Sequence, residues 1–262
     1  PCQDCGAETP EELGFCLRCR WRLHPPSRYD LTVDDFAYGP DENAIEMIKA
    51  TGVLPYLVKN LALGRLEKDL SSRLMSEGHV VEYPDPLDIL MRRCAVSLCI
   101  DVLPMMFMIE NDHPNAFTFG SERSAFVVVH SGAMRYLDSP ELTAVLAHEL
   151  CHVKSGHMLY HTVAEILGGG IGLSASLLGI NIVSLPVRLA LLSWHRESEV
   201  TADRGSLLVV NDIDTVKSFI TKLALWSYRG TWSKPLDVEN QIVGMLESVS
   251  ELFRTHPLYS KR

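Results

Sequence analysis

The HELCH sequence at residues 148–152 constrains this chain more than any other feature. Residues four apart lie on the same face of a helix, so its two histidines can bind one tetrahedral metal ion at about 2.0–2.1 Å. Helix signals precede it, with Ser139 predicted as the N-cap, Pro140 as the first helical residue and Glu141 near the positive end of the helix dipole. HExxH on a helix is typical of zinc hydrolases, in which the glutamate moves a proton.

A catalytic zinc site needs a third protein ligand. His157 is a poor candidate, because at about 100° per residue a continuing helix would turn it away from His148. It is predicted to be a structural histidine at the helix end. The sequence RESEVTADR places Glu199 and Asp203 four apart on one face of a second predicted helix. Glu199 can bind the metal, and Asp203 can accept a hydrogen bond from a ligand histidine. By spacing alone, a solvated charged face is an equal alternative.

Taken together, these motifs resemble the metallopeptidase family that includes the CAAX prenyl proteases and the bacterial heat-shock protease HtpX. The resemblance covers roughly residues 100–262 and follows the family order through NAFTFG, AFVVVHSGAM, SPELTAVLAHELCHVKSGH, ESEVTAD and THPLYSKR. It implies a zinc endopeptidase. The implied zinc ligands are His148, His152 and Glu199, with Glu149 as general base and acid and Asp203 bonded to a ligand histidine.

The resemblance also implies how a substrate binds. Asn115 and Ala116 would lie on the edge of the active-site sheet and bind an extended polypeptide as an added β-strand. A turn followed by an ordinary edge strand is the alternative. His256, in the HP motif, would donate to the oxyanion. A structural role is its alternative, and His195 and Tyr259 are weaker candidates.

A second metal site is predicted at the other end of the sequence. Cys2, Cys5, Cys16 and Cys19 form two CxxC knuckles, which supply four thiolates for a structural zinc ion. The segment CGAETPEELGFCLRC resembles the small zinc-ribbon family. Disulfides are disfavoured because the total of seven cysteines is odd, and we expect a reducing cytoplasm.

The charge balance bears on the partners of the ribbon. Arg18, Arg20, Trp21 and Arg22 combine basic and aromatic character, which nucleic-acid binders use. The chain as a whole carries a net charge of −9, from 24 basic and 33 acidic residues, and this repels nucleic acid. Docking of a protein partner, or stabilisation, is the favoured role of the ribbon.

We predict an α+β fold of 262 residues with three parts: a zinc ribbon at 1–24, a linker at 25–40 and a metallopeptidase domain at 41–262. The domain is expected to be a mostly helical zincin of the gluzincin type, with helices over 42–75 and 87–100. A small mixed or antiparallel active-site sheet is predicted from strands over 105–109, 116–119 and 125–130.

The stretch 166–194 has two interpretations. Its first twenty residues carry no formal charge and could enter a membrane, but Gly179, Asn181 and Pro186 interrupt the stretch. A buried helical hairpin is favoured over a membrane hairpin, so we expect a cytoplasmic protein, with membrane association as the alternative. The functional alternatives to a zinc endopeptidase are a membrane-associated quality-control protease and a latent ribbon adaptor. The adaptor is disfavoured because a binding module has no need of Glu149.

Overall fold

A computed structural model describes residues 1–25, 29–50, 72, 74–76, 78–121, 124–158, 160–161 and 185–229. Two short 3-10 helices, Glu11–Leu13 and Val33–Asp35, precede the main elements. In chain order these are α1 (Gly39–Ala50), β1 (His79–Val81), α2 (Pro86–Ser97), β2 (Met105–Ile109), β3 (Ala116–Ser121), β4 (Ser124–His130), α3 (Ser131–Tyr136), α4 (Ser139–Lys154), α5 (Leu185–Val210) and α6 (Ile213–Arg229).

The described strands form one mixed sheet in the order β1-β2-β4-β3. Strand β2 is parallel to β4, with Met105 opposite Phe126, whereas β1 and β3 are antiparallel to their neighbours. The three predicted strands and the mixed α+β class are therefore confirmed, while the gluzincin type stays a prediction. Strand β1 was not predicted, because three residues are too few to show an alternating pattern.

The two faces of the sheet bury different side chains, since successive residues of a strand point to opposite sides. On one face, Val127 and Val129 of β4 join the main hydrophobic core with α2 and α4. On the other face, Phe107, Phe119 and Phe126 form a separate aromatic cluster, in which the last two rings stack 4.9 Å apart. Strand β3 is the edge strand of the described sheet on the side of α4.

Helix α4 begins one residue earlier than predicted. Asp138 is the N-cap: its Oδ1 accepts the Glu141 N–H at 2.9 Å, and Glu141 Oε2 accepts the Asp138 N–H at 2.9 Å. The assignment of Ser139 as N-cap is wrong, because this reciprocal capping box satisfies two helix-end donors and makes Ser139 the first helical residue. Glu141 also accepts hydrogen bonds from Ser218 and Lys222 of α6 at 2.6 Å each.

Helices α4 and α5 pack closely along one another. A Cβ at Gly205 of α5 would lie 2.2 Å from the Cys151 Sγ of α4, so only glycine allows this approach. Ser206 Oγ donates to the Ala144 carbonyl at 2.7 Å. This contact brings the predicted second helix, which lies within α5, against the HELCH helix.

The N-terminal cysteine segment packs directly onto the rest of the chain. Phe15 is fully buried and belongs to the main hydrophobic core. Its carbonyl accepts a hydrogen bond at 3.0 Å from Arg92 of α2, which is itself paired with Asp88. Arg20 donates to the Leu103 carbonyl at 2.9 Å, and Arg22 pairs with Asp101 at 2.7 Å. Two of the basic side chains considered for nucleic-acid binding are thus engaged within the protein.

No helix in the described part of the chain has both the length and the apolar character needed to cross a membrane. Residues 166–184 of the predicted hairpin lie outside that part, as does most of the predicted helix over 42–75.

Candidate active site and metal centres

Three buried side chains converge on one point between α4 and α5. The His148 and His152 Nε2 atoms are 3.1 Å apart, and each lies close to a Glu199 carboxylate oxygen, at 3.6 and 3.3 Å respectively. Tetrahedral ligands about 2.0–2.1 Å from a zinc ion are separated by roughly 3.3 Å, so the donor set fits a zinc ion. The exposed fractions of the two histidines and the glutamate are 3%, 2% and 0%.

Asp203 lies behind His148, one helical turn after Glu199. The His148 Nδ1–H donates to Asp203 Oδ1 at 3.0 Å, and this leaves Nε2 as the donor atom for a metal. Burial alone would lower the pKa of His148, but the hydrogen bonds and charges of Asp203 and Glu199 raise it to about 9. The contact with Asp203 fixes the orientation of the His148 ring.

A different arrangement lies behind His152. Helix α4 ends at Lys154, and the chain turns back at Gly156, which has a φ of 67°. The His157 Nδ1 thereby comes within 3.0 Å of the His152 Nδ1. The prediction that His157 points away from the site is wrong, because it assumed that the helix continues. Burial is the main cause that lowers the pKa of His152 to about 3.

Glu149 faces the edge strand of the sheet. Its Oε2 accepts a hydrogen bond from the Thr118 hydroxyl of β3 at 3.1 Å, and its side chain is 2% exposed. The carbonyl of Asn115, just before β3, accepts the His130 N–H at 2.9 Å and so faces into the sheet. Because hydrogen-bonded pairs alternate along an antiparallel ladder, the peptide groups of Ala116 and Thr118 face the outer edge.

The four N-terminal cysteines also converge. The Sγ atoms of Cys2 and Cys19, and those of Cys5 and Cys16, are 3.6 Å apart in each pair, and all four lie within 4.8 Å of one another. These separations exceed a disulfide bond of about 2.0 Å and suit tetrahedral thiolates about 2.3 Å from zinc. The Cys16 Sγ accepts hydrogen bonds from the Arg18 N–H at 3.4 Å and from the Thr9 hydroxyl at 3.7 Å.

Of the candidate electrophiles, the structure describes His195, whereas Tyr259 lies outside the described residues. His256 lies outside the described residues. His195 is 4% exposed and stacks on His161, with ring centroids 4.2 Å apart.

Sequence reasoning missed several residues next to the candidate site. Thr118 lies within a predicted strand and Asp41 at the predicted start of the metallopeptidase domain, and neither position carries a sequence signal for a role in the site. Asp41 Oδ2 lies 3.2 Å from His157 Nε2, and Asp41 Oδ1 accepts the Trp194 indole N–H at 2.7 Å. The residues are far apart in the chain, so the only available signal was an aspartate at the start of a helix, a common placement that indicates no particular partner.

The chain is similar in sequence to several known peptidases. The plastoglobule-localized metallopeptidase 48 of Arabidopsis thaliana is 33% identical over 207 residues, which cover 78% of this chain and 59% of that protein. A protease HtpX homolog from Campylobacter concisus is 30% identical over 190 residues, covering 61% and 66% of the two chains. Another, from Salinibacter ruber, is 29% identical over 209 residues, covering 72% and 74%.

The chain thus spans between about three fifths and two thirds of the length of the first two relatives. No solved structure matches it significantly. The model of peptidase family M48 matches residues 86–262, which include α4, α5 and the HELCH sequence. The chain therefore belongs to peptidase family M48, a family of metalloproteases.

Proposed function

We propose that this protein is a zinc-dependent endopeptidase that hydrolyses peptide bonds in extended or unfolded polypeptide segments. The observation that carries the proposal is the convergence of His148, His152 and Glu199 beside Glu149, which is itself bonded to the edge strand. Three protein ligands leave a position for water, as a catalytic site requires and a closed structural site does not.

A zinc ion bound by these residues would lower the pKa of a bound water towards about 7 and polarise the substrate carbonyl. Glu149 takes a proton as the water oxygen bonds to the carbonyl carbon. It then returns a proton to the amide nitrogen as the C–N bond breaks, so that one water molecule is consumed. His148 is kept in the productive tautomer by Asp203. An electrophilic role for His256 is part of the proposal and is tested by its own substitution, H256F.

The substrate is proposed to bind as an added strand along the outer edge of β3. The alternation of hydrogen bonds supports this, since the peptide groups of Ala116 and Thr118 face that edge. The Thr118 side chain meanwhile reaches Glu149 on the helix. The Asn115 side chain is the further candidate for holding the substrate backbone. Main-chain pairing selects for extended chains rather than for a particular sequence.

The test is cleavage of casein by wild type, by E149Q and by E197Q, each before and after zinc chelation and after re-addition of zinc. Glu197 is a matched control, because it lies on α5 two residues from Glu199 and is partly exposed. Wild type and E197Q should cleave, lose activity with the chelator and regain it with zinc. E149Q should bind zinc without cleaving. Equal cleavage by E149Q, or activity unaffected by chelation, would rule out the proposed mechanism.

The cysteine cluster is proposed to hold a second, structural zinc ion, so that the protein binds two zinc ions per chain. Elemental analysis of wild type and C16S should give two ions and one ion, respectively. The surface of the ribbon that does not contact the rest of the chain is the proposed docking site for a protein partner. The backbone of Trp21 pairs with that of Val102, but the residue is 47% exposed and is proposed to form part of this docking site.

A cytoplasmic location is proposed for the protein, with membrane contact through residues 166–194 as the alternative. Flotation with liposomes separates the two. Protein that floats with the vesicles supports membrane contact, and protein that stays at the bottom of the gradient argues against it.

A further inference from the structure

We propose that Asp41 and His157 act together as positioning residues that hold His152 in the orientation and tautomer needed to bind the metal. This inference rests on the zinc site proposed above. It assigns a role in that site to α1, which precedes the segment matched by the family model.

The three side chains form a continuous hydrogen-bonded chain. The His152 Nδ1 lies 3.0 Å from the His157 Nδ1, and the His157 Nε2 lies 3.2 Å from Asp41 Oδ2. All three residues are buried, with exposed fractions of 2%, 6% and 3%. Water therefore cannot easily replace any link of the chain.

With His157 neutral, the identity of the last residue sets the order of the protons along the chain. Asp41 as a carboxylate only accepts, so the His157 Nε2 carries a proton, and in a neutral imidazole the Nδ1 is then an acceptor. The His152 Nδ1 must then carry a proton, and the lone pair of its Nε2 is left for the metal. A carboxylate at position 41 thus selects the ligand tautomer of a histidine that it does not touch.

Asp41 is held firmly as an anion. The Trp194 Nε1–H donates to its Oδ1 at 2.7 Å, and the Thr201 hydroxyl donates to its Oδ2 at 2.5 Å. Burial would raise the pKa of Asp41, but the hydrogen bonds from His157, Thr201 and Trp194 lower it. Both Trp194 and Thr201 belong to α5, so α1 is attached to the helix that carries Glu199.

The two ligand histidines are therefore supported in different ways. His148 donates directly to Asp203, from the same helix as Glu199. His152 is supported through His157 by an aspartate from a different helix. Such outer partners of ligand histidines typically contribute 10–100-fold to metal affinity.

The alternative is that Asp41 and His157 only pack α1 against α5. A double-mutant cycle on metal affinity separates the two roles, using D41N, H157F and the double variant. In D41N, the nitrogen of the new amide would face His157 Nε2 and reverse the proton order in the chain. E42Q is the matched control, because Glu42 is the next residue of α1 and is exposed.

Bound zinc is measured by elemental analysis after dialysis against a series of chelator-buffered zinc concentrations. In this titration, the step in which the histidine site loses its zinc ion is identified by its absence in H148A. Unfolding of each variant in excess chelator shows that the metal-free chain still folds. We expect D41N and H157F each to weaken the zinc affinity of the histidine site by 10–100-fold. E42Q should leave this affinity unchanged. D41N should cause no further loss of affinity when it is added to H157F.

Unchanged affinity in D41N, or a D41N effect of the same size with and without His157, would overturn the inference. H157N provides a second test should D41N not fold, since its amide oxygen can take the place of Nδ1 as acceptor. It should bind zinc more tightly than H157F, and equal affinities would also overturn the inference. A wild-type protein without the histidine-site step would overturn the proposed function itself, a result distinct from those of the variants.

Discussion

The hydroxyl of Thr118 on the edge strand donates to the carboxylate of Glu149 on the HELCH helix, at a distance of 3.1 Å. One residue of β3 thus has its peptide group at the proposed substrate edge and its side chain on the proposed general base. Any shift of the strand along the helix would move Glu149 relative to the scissile bond. Strand and helix are therefore expected to form one catalytic unit.

Replacing Thr118 with valine should lower kcat about tenfold while zinc binding is unchanged. Valine keeps the shape of the side chain but removes the hydrogen bond to a charged group, and such bonds are worth about 1.5–3 kcal/mol. Steady-state cleavage of a fluorogenic peptide provides the measurement. T118S retains the hydroxyl and should stay close to wild type. A serine variant as slow as T118V would indicate that packing, and not the hydrogen bond, matters at this position.

Replacing Asp203 with asparagine should weaken zinc binding at the histidine site by 10–100-fold. The amide oxygen can still accept from His148, but the negative charge that favours the ligand orientation of the ring is lost. Chelator competition measures the change. D214N is a suitable control, because Asp214 is an exposed carboxylate at the start of α6. An affinity equal to that of D214N would contradict the role given to Asp203.

The ribbon should contribute directly to the free energy of unfolding of the whole protein. F15A removes a fully buried side chain from the main core and should lower the free energy of unfolding by about 3–5 kcal/mol. L17A, two residues away and 41% exposed in wild type, should change it by less than about 0.5 kcal/mol. Denaturant titration, followed by the loss of helical signal of the whole protein, measures both changes in the free energy of unfolding. A small effect of F15A would mean that the ribbon folds independently.

Acid should reduce stability partly through Glu141. Burial would raise the pKa of this residue, but Lys222, Ser218 and the Asp138 N–H lower it below its ordinary value of 4.5. The unfolded chain therefore binds the proton more readily. The stabilisation is present above about pH 4.5 and is lost as the pH falls through the lower folded pKa.

E141Q provides the test of this pH dependence, since glutamine can keep the capping box but lacks the charge. At neutral pH it should be less stable by about 1 kcal/mol, a small value because Lys222 is 40% exposed. The difference in unfolding free energy between wild type and E141Q should vanish in the acid range. A difference that is constant with pH would show that the ion pair does not contribute.

Local patterns predicted much of the fold and of the candidate site. The HELCH helix, the helix around Glu199 and three strands were all predicted, because each is a short-range signal of periodicity or spacing. The N-cap was misplaced by one residue, since the capping box depends on which of two adjacent polar side chains turns towards the helix. His157 was misjudged because helix geometry was extended past Gly156, where the backbone is left-handed.

The sequence by itself determined which donor atoms are available and which of them share a helix face, since the four-residue spacings of His148 with His152 and of Glu199 with Asp203 are local properties. The tertiary structure alone decided which distant side chains meet them. Thr118 of the sheet contacts Glu149 of the helix, and Asp41 contacts His157, which lies more than a hundred residues later in the chain. Such contacts depend on how the elements pack, and packing is set by the whole core rather than by any local pattern.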